Sequence, residues 1–161
     1  MFLLGHSRGA GVCLVYALDH PDAVAGVLSW NGITNLDLFT EEQKREMRQN
    51  GRSHVMNGRT GQQMPLDVVI LDDLERQQER YNILGRIEAA SFQVALIQGS
   101  DDGAHLRHGS SQLVDIRPDI PWIHIPGGNH TFNTAHPFQG TSAPLEEALN
   151  ASLLFISQHC P

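Results

Sequence analysis

The chain has 161 residues, with 11 Lys and Arg against 18 Asp and Glu and a formal charge of −7. That length fits one domain with a core of its own, and 40% apolar with 18% charged residues excludes intrinsic disorder. The acidic balance, with Lys44 the single lysine, excludes general nucleic-acid binding, which needs a basic face to displace counterions; no apolar run approaches the roughly 18 residues that span a bilayer.

Met1-Phe2-Leu3-Leu4 opens the chain inside what reads as a buried strand. The expectation is a piece of a larger polypeptide, or one whose true start is missing, with no targeting segment legible ahead of the strand. Gly9 to Leu18 reads as a helix that is apolar on nearly every face and so buried on most sides. His20-Pro21 ends it, because the residue before proline avoids helical dihedrals. Val24 to Trp30 is a second strand without strict alternation, as suits a parallel sheet covered on both faces. Strand, helix and strand together make a βαβ unit.

Residues 31 to about 90 are more polar than their flanks and read as an insertion, or lid, between two strands of the sheet. Thr40-Glu41-Glu42-Gln43 is a capping box, and Gly51 should stop the helix it starts. Asn57-Gly58 is expected as a hairpin turn within Ser53 to Leu66. Asp67 to about Tyr81 reads as a further helix, with Leu71, Leu74 and Gln78 on one side. Regular α/β structure then resumes with a strand from Phe92 to Gln98, a short helix ending over Ser111 to Ile116 and a last strand from Pro121 to Pro126. A closing helix from Pro144 to about Ser157 carries Leu145, Ala148, Leu149, Ser152, Leu153 and Ile156 as a stripe. Cys13 and Cys160 are too few for a disulfide framework, show no metal-ligand spacing, and read as free thiols of a reducing compartment.

The strongest chemical signal is Gly5-His6-Ser7-Arg8-Gly9, a G-x-S-x-G sequence between an apolar strand and a buried helix. That setting is what a nucleophile elbow requires: a tight, strained turn, small flanking residues and a serine at a helix N-terminus. A serine hydroxyl needs a base to take its proton. Of nine histidines, His130 stands out, in the loop Gly127-Gly128-Asn129-His130-Thr131-Phe132 just past the last strand. Loops at the C-terminal ends of parallel strands are where sites assemble. His136 is its one rival; His124 reads as structural, and His105 and His108 as members of a polar surface loop. Asp101 and Asp102, in Gln98-Gly99-Ser100-Asp101-Asp102, are both placed to orient the imidazole. The chain order Ser, Asp, His is that of α/β-hydrolases.

GHSRGAG, LIQGSDD and IPGGNHTF, in that order and each at a strand end, resemble the catalytic half of an α/β-hydrolase of the dienelactone-hydrolase-like or prolyl-oligopeptidase-like kind. The resemblance implies an α/β fold, with a mostly parallel sheet flanked by helices and a helical and hairpin lid, making residues 1–161 the C-terminal half of one domain. Carried over residue by residue, Ser7 matches the nucleophile and His130 the base. The family pattern G-x-x-D points to Asp102 before Asp101, and Arg8 matches the backbone donor of half the oxyanion hole. No metal or organic cofactor is implied.

The strands that would precede the elbow are absent, roughly 100 residues at about 30 per βαβ unit. With them goes the loop donating the second oxyanion N–H, worth on the order of 3 kcal/mol in the transition state. The expected activity is hydrolysis of an ester, thioester or amide in a small-molecule substrate through an acyl-enzyme. Arg59 in the lid is a candidate contact for an acidic substrate group, with a surface salt bridge the plainer reading. The alternative is a truncated, inactive fragment or binding module that self-associates through an exposed sheet edge. A haloperoxidase-like or lyase chemistry is a third reading, since the fold hosts several chemistries; the triad residue types favour acyl transfer. Neither nucleic acid nor membrane is an expected partner, and the default location is cytoplasmic.

Overall fold

Phe2–His6 forms strand β1, Arg8–Asp19 helix α1 and Gly26–Trp30 strand β2, in a computed structural model that describes residues 1–58 and 60–160. The βαβ reading holds: β1 and β2 are parallel, with Leu4 beside Leu28. Contacts divide the chain into two units, one of Met1–Asn35 with the stretch from Asn82 onward, the other of Leu36–Tyr81.

In the first unit, β5 (Gln93–Gly99) and β6 (Trp122–Ile125) complete a four-stranded sheet in the order β1-β2-β5-β6. Every pairing in it is parallel. All C-terminal strand ends therefore point the same way, and the loops leaving β1, β5 and β6 share one edge of the sheet. Short α5 (Ile83–Arg86) and a 3₁₀ turn (Ile87–Ala89) lead into β5; α6 (Ala104–Ile116) and α7 (Ala143–His159) follow β5 and β6. The core on the α7 side joins Leu28, Ala95, Ile97 and Ile125 of the sheet to Ala148 and Phe155 of α7 and to Phe132. Burial of each large apolar side chain contributes about 1.5–3 kcal/mol. On α1, Ala10, Leu14 and Ala17 are fully buried.

The helices depart from the sequence expectation in instructive ways. Helix α1 is the exception and is buried on most sides as expected: Ala10, Gly11, Leu14, Val15 and Ala17 are buried, and Val12 and Tyr16, one turn apart and 59% and 42% exposed, mark its open strip. The buried stripe of α7 is Ala148, Ser152 and Phe155, while Leu149 and Leu153 point to solvent; hydropathy alone placed them in the core. Helix α6 begins seven residues before Ser111, so His105 and His108 lie on a helix and not in a loop. Poor helix formers at Gly109-Ser110-Ser111 conceal it in the sequence. They belong to its packed face, where a β-carbon on Gly109 would sit 2.5 Å from Thr34 Oγ1.

The second unit begins with α2 (Glu41–Asn50). The Thr40 hydroxyl accepts from Gln43 N, the Gln43 side chain accepts from Thr40 N, and Gly51 ends the helix at φ 75°, as the capping pattern predicts. Strands β3 (Arg52–Met56) and β4 (Gln63–Asp67) pair antiparallel, with Met56 opposite Gln63. The turn is wider than the expected Asn57-Gly58 pair. Asn57 N donates to Gln62 O, Gly61 N donates to Asn57 O, and Gly61 supplies the left-handed residue at φ 69°. The helix expected to run from Asp67 to Tyr81 is two pieces, α3 (Val69–Arg76) and α4 (Gln78–Tyr81). Glu75 to Arg80 is wholly polar, so no apolar face fastens the break at Gln77. Among the described residues no helix is long and apolar enough to cross a membrane.

Candidate active site

The turn between β1 and α1 holds Ser7 at φ 56° and ψ −121°, a conformation that costs a non-glycine residue about 1–3 kcal/mol and persists only where neighbours fix it. Ser7 N donates to Trp30 O at 2.9 Å, and Ser7 O accepts from Ala10 N at 3.1 Å and Ile33 N at 3.3 Å. Gly5 is sterically required: a β-carbon there would stand 2.4 Å from the Gly9 carbonyl group. Gly9 is not, since a β-carbon would meet nothing within 4 Å. The expectation of small residues on both sides of the serine thus holds on one side only. Ser7 precedes the first residue of α1, so its hydroxyl sits at the positive end of a twelve-residue helix.

The loops after β5 and β6 bring the other two residues to it. His130 Nε2 lies 3.0 Å from Ser7 Oγ, and His130 Nδ1 lies 2.8 Å from Asp102 Oδ1. Of the two candidate acids the structure brings Asp102 to the imidazole: its side chain is fully buried, that of His130 40% exposed. Asp101 is exposed, its carboxylate accepting from Ser100 Oγ. His136 and His124 are also exposed, and the His124 ring lies tilted against that of Trp122 with centroids 4.6 Å apart. Arg59 lies outside the described residues. Cys13 and Cys160 are free thiols, and burial pushes the Cys13 thiol up. Among the described residues no group of three His, Cys, Asp or Glu is arranged to hold a metal ion.

The acid is held by more than the histidine. Gln98 Nε2 donates to Asp102 Oδ2 at 3.0 Å, Trp122 Nε1 donates to Gln98 Oε1 at 2.9 Å, and Gly103 N donates to Asp102 Oδ1 at 2.8 Å. Burial is the largest single influence on the Asp102 carboxyl and pushes it up. The hydrogen bonds from His130, Gln98 and Gly103 together outweigh it and hold the group below its ordinary 3.8. Folding therefore favours ionised Asp102. That contribution is complete above the unfolded value and is lost as pH falls through the lower folded one. Thermal melts should show wild-type stability falling with pH below about 3.8, and a smaller fall for Asp102→Asn. The exposed Asp67 and Asp119, held low by Arg52 and Arg117, contribute equally to both proteins and cancel in the comparison.

Three residues at the site escaped the sequence reading. Gln98 had a signal: it is a polar residue closing an apolar run, and it is 1% exposed, whereas Gln93 at the other end of β5 is exposed. Asn31, fully buried at φ 45° just past β2, was signalled only by an Asn-Gly pair at a strand end. His6, its ring centroid 4.9 Å from that of His130, donates Nε2–H to the His130 carbonyl at 2.6 Å.

A parallel sheet crossed by helices, with a strained strand-to-helix turn at its C-terminal edge, is the α/β-hydrolase fold, and this chain carries part of it. Mouse alpha/beta hydrolase domain-containing protein 10 superposes with a TM-score of 0.69 at 17% identity, over 98% of this chain and 62% of its own. The Paleococcus ferrophilus monoacylglycerol lipase gives 0.67 at 19% identity over 98% and 68%. The esterase domain of a Rhodothermus marinus protein gives 0.61 at 14% identity over 98% and 59%. The chain thus spans between 59% and 68% of the length of these three structures. No family model matches the sequence, and no curated protein does.

Proposed function

We propose that the chain carries the catalytic residues of a serine hydrolase acting on an ester, thioester or amide. The observation behind this reading is the unbroken series Ser7 Oγ, His130 and Asp102, at 3.0 Å and 2.8 Å, drawn from three strand ends. In the proposed reaction His130 Nε2 takes the Ser7 proton as Oγ bonds to the substrate carbonyl carbon. Asp102 holds Nδ1–H and stabilises the imidazolium. The backbone N–H of Arg8 and the N-terminus of α1 face the developing oxyanion. The imidazolium then protonates the leaving alcohol, thiol or amine as its bond to carbon breaks. His130 then takes a proton from water as its oxygen bonds to the acyl carbon, and returns that proton to Ser7 Oγ as the acyl carbon–Oγ bond breaks and the acid leaves. The polar 31–90 insertion is proposed, from its sequence, as the part that shapes substrate choice.

A second reading is favoured by one observation: among the described residues β1 is an edge strand paired only with β2, with Leu4 48% exposed. On that reading the chain is a binding module that associates through the edge. A fluorophosphonate separates the two. Ser7 Oγ bonds to phosphorus, the P–F bond breaks, fluoride leaves and His130 takes the proton. Intact mass spectrometry should show one adduct on the folded wild type and none on Ser7→Ala. A folded wild type without adduct would transfer the case to the second reading.

A further inference from the structure

We propose that Asn31 is a positioning residue of this site, setting the placement of His130 by holding the main chain of its loop; the proposal rests on the Ser7-His130-Asp102 reading. Asn31 follows β2 directly and is fully buried. Its four polar bonds all reach the two elements that carry the base and the acid. The N–H of Asn31 donates to Ile97 O at 3.0 Å, and its Oδ1 accepts from Gly99 N at 2.8 Å. Its Nδ2 donates to Asn129 O at 3.2 Å and to His130 O at 3.0 Å. One amide therefore accepts from the strand end leading to Asp102 and donates to the backbone of the residue that contacts Ser7.

The chemistry selects this residue type. The site needs an acceptor on one side and two donors on the other, which a carboxylate or an aliphatic side chain cannot supply. Asn also tolerates a positive φ better than other non-glycine residues, so its backbone turns out of β2 while its side chain turns toward the two loops. His6 Nε2–H completes the arrangement: the His130 carbonyl receives donors from His6 at 2.6 Å and Asn31 at 3.0 Å, which occupies both its lone pairs. The imidazole is thereby fixed from two directions, through Nδ1 by Asp102 and through its own backbone by Asn31 and His6.

Asn31→Asp tests this, because it keeps the size and the acceptor to Gly99 but replaces both donors with a carboxylate oxygen facing two carbonyls. Two measurements are made on the wild type and the variant: fluorophosphonate modification of Ser7 at varied reagent concentration, and the proton NMR resonance of His130 Nδ1–H. The expected result is a folded variant whose limiting rate falls roughly a hundredfold, the penalty of misplacing a reacting group by about 1 Å. Its half-saturating concentration should stay within twofold, and the Nδ1–H resonance should shift. A folded variant with the wild-type rate and resonance overturns the proposal. If Asn31→Asp does not fold, Asn31→Ser, which adds no charge, must show the same slowing; wild-type behaviour there, or failure of both variants to fold, leaves Asn31 a purely structural residue and overturns it. A wild type that is folded but unreactive means instead that the hydrolase reading has failed.

Discussion

On the proposed mechanism, replacing His130 with glutamine should slow modification of Ser7 by a fluorophosphonate about ten-thousandfold, while the melting temperature should change little. The size follows from the base's task. Without it the serine hydroxyl keeps its proton, and loss of one member of such a set removes most of what the set contributes. Stability is spared because the His130 side chain is 40% exposed and its principal buried partner, Asp102, keeps its bonds from Gln98 and Gly103. His6 cannot take over, for its Nε2 is engaged by the His130 carbonyl. Exposed His136 serves as the control, and His136→Gln should react within twofold of the wild type. The check is a time course of intact mass at fixed reagent; a His130→Gln rate within tenfold of the wild type would remove His130 from the mechanism.

The second large effect falls on stability. An alanine at Gly99 would place its β-carbon 2.0 Å from Gly128 O and 3.0 Å from Asn129 O. Neither atom belongs to a flexible side chain, so one backbone must move. Gly128 O also accepts from Asp101 N at 3.0 Å, and Ser100 N donates to Ile125 O at 2.9 Å. Movement at Gly99 therefore pulls the loop of Asp102 from the loop of His130. The expected cost of Gly99→Ala is about 3 kcal/mol or more, which for a chain of this size lowers the melting temperature by roughly 6–12 °C. Gly9→Ala is the matched control. Its β-carbon meets nothing within 4 Å inside α1, and removing a helical glycine stabilises by about 0.5–1 kcal/mol. Thermal melts of the pair should move in opposite directions.

The comparison of sequence with structure separates local from distant information. The elbow was legible because strain, helix N-terminus and close approach are all set within Gly5 to Ala10. Strand order and parallel pairing were legible as far as β1 and β2, from apolar runs without alternation. Asp101 and Asp102 are adjacent and chemically identical, so only the fold could bury one and expose the other. Asn31 owes its importance to partners as far as 99 residues away, and no local pattern carries that; Gln98 reaches Asp102 four residues on, and its polar place at the end of an apolar run was legible. The helices erred for a different reason. Hydropathy told which residues are apolar, as at Leu149 and Leu153 of α7, but not which face of an apolar helix meets the sheet.

The hydrogen bond between Ser7 and His130 closes a loop of 123 residues, with the whole Leu36–Tyr81 unit inside it. Contacts so distant in sequence form late, after the entropy of ordering the intervening chain has been lost. A refolding chain is therefore expected to acquire its helices before His130 stands beside Ser7. Reactivity of that one hydroxyl becomes a clock for the final stage of folding: sampled by brief reagent pulses during refolding, it should lag the recovery of helical circular dichroism.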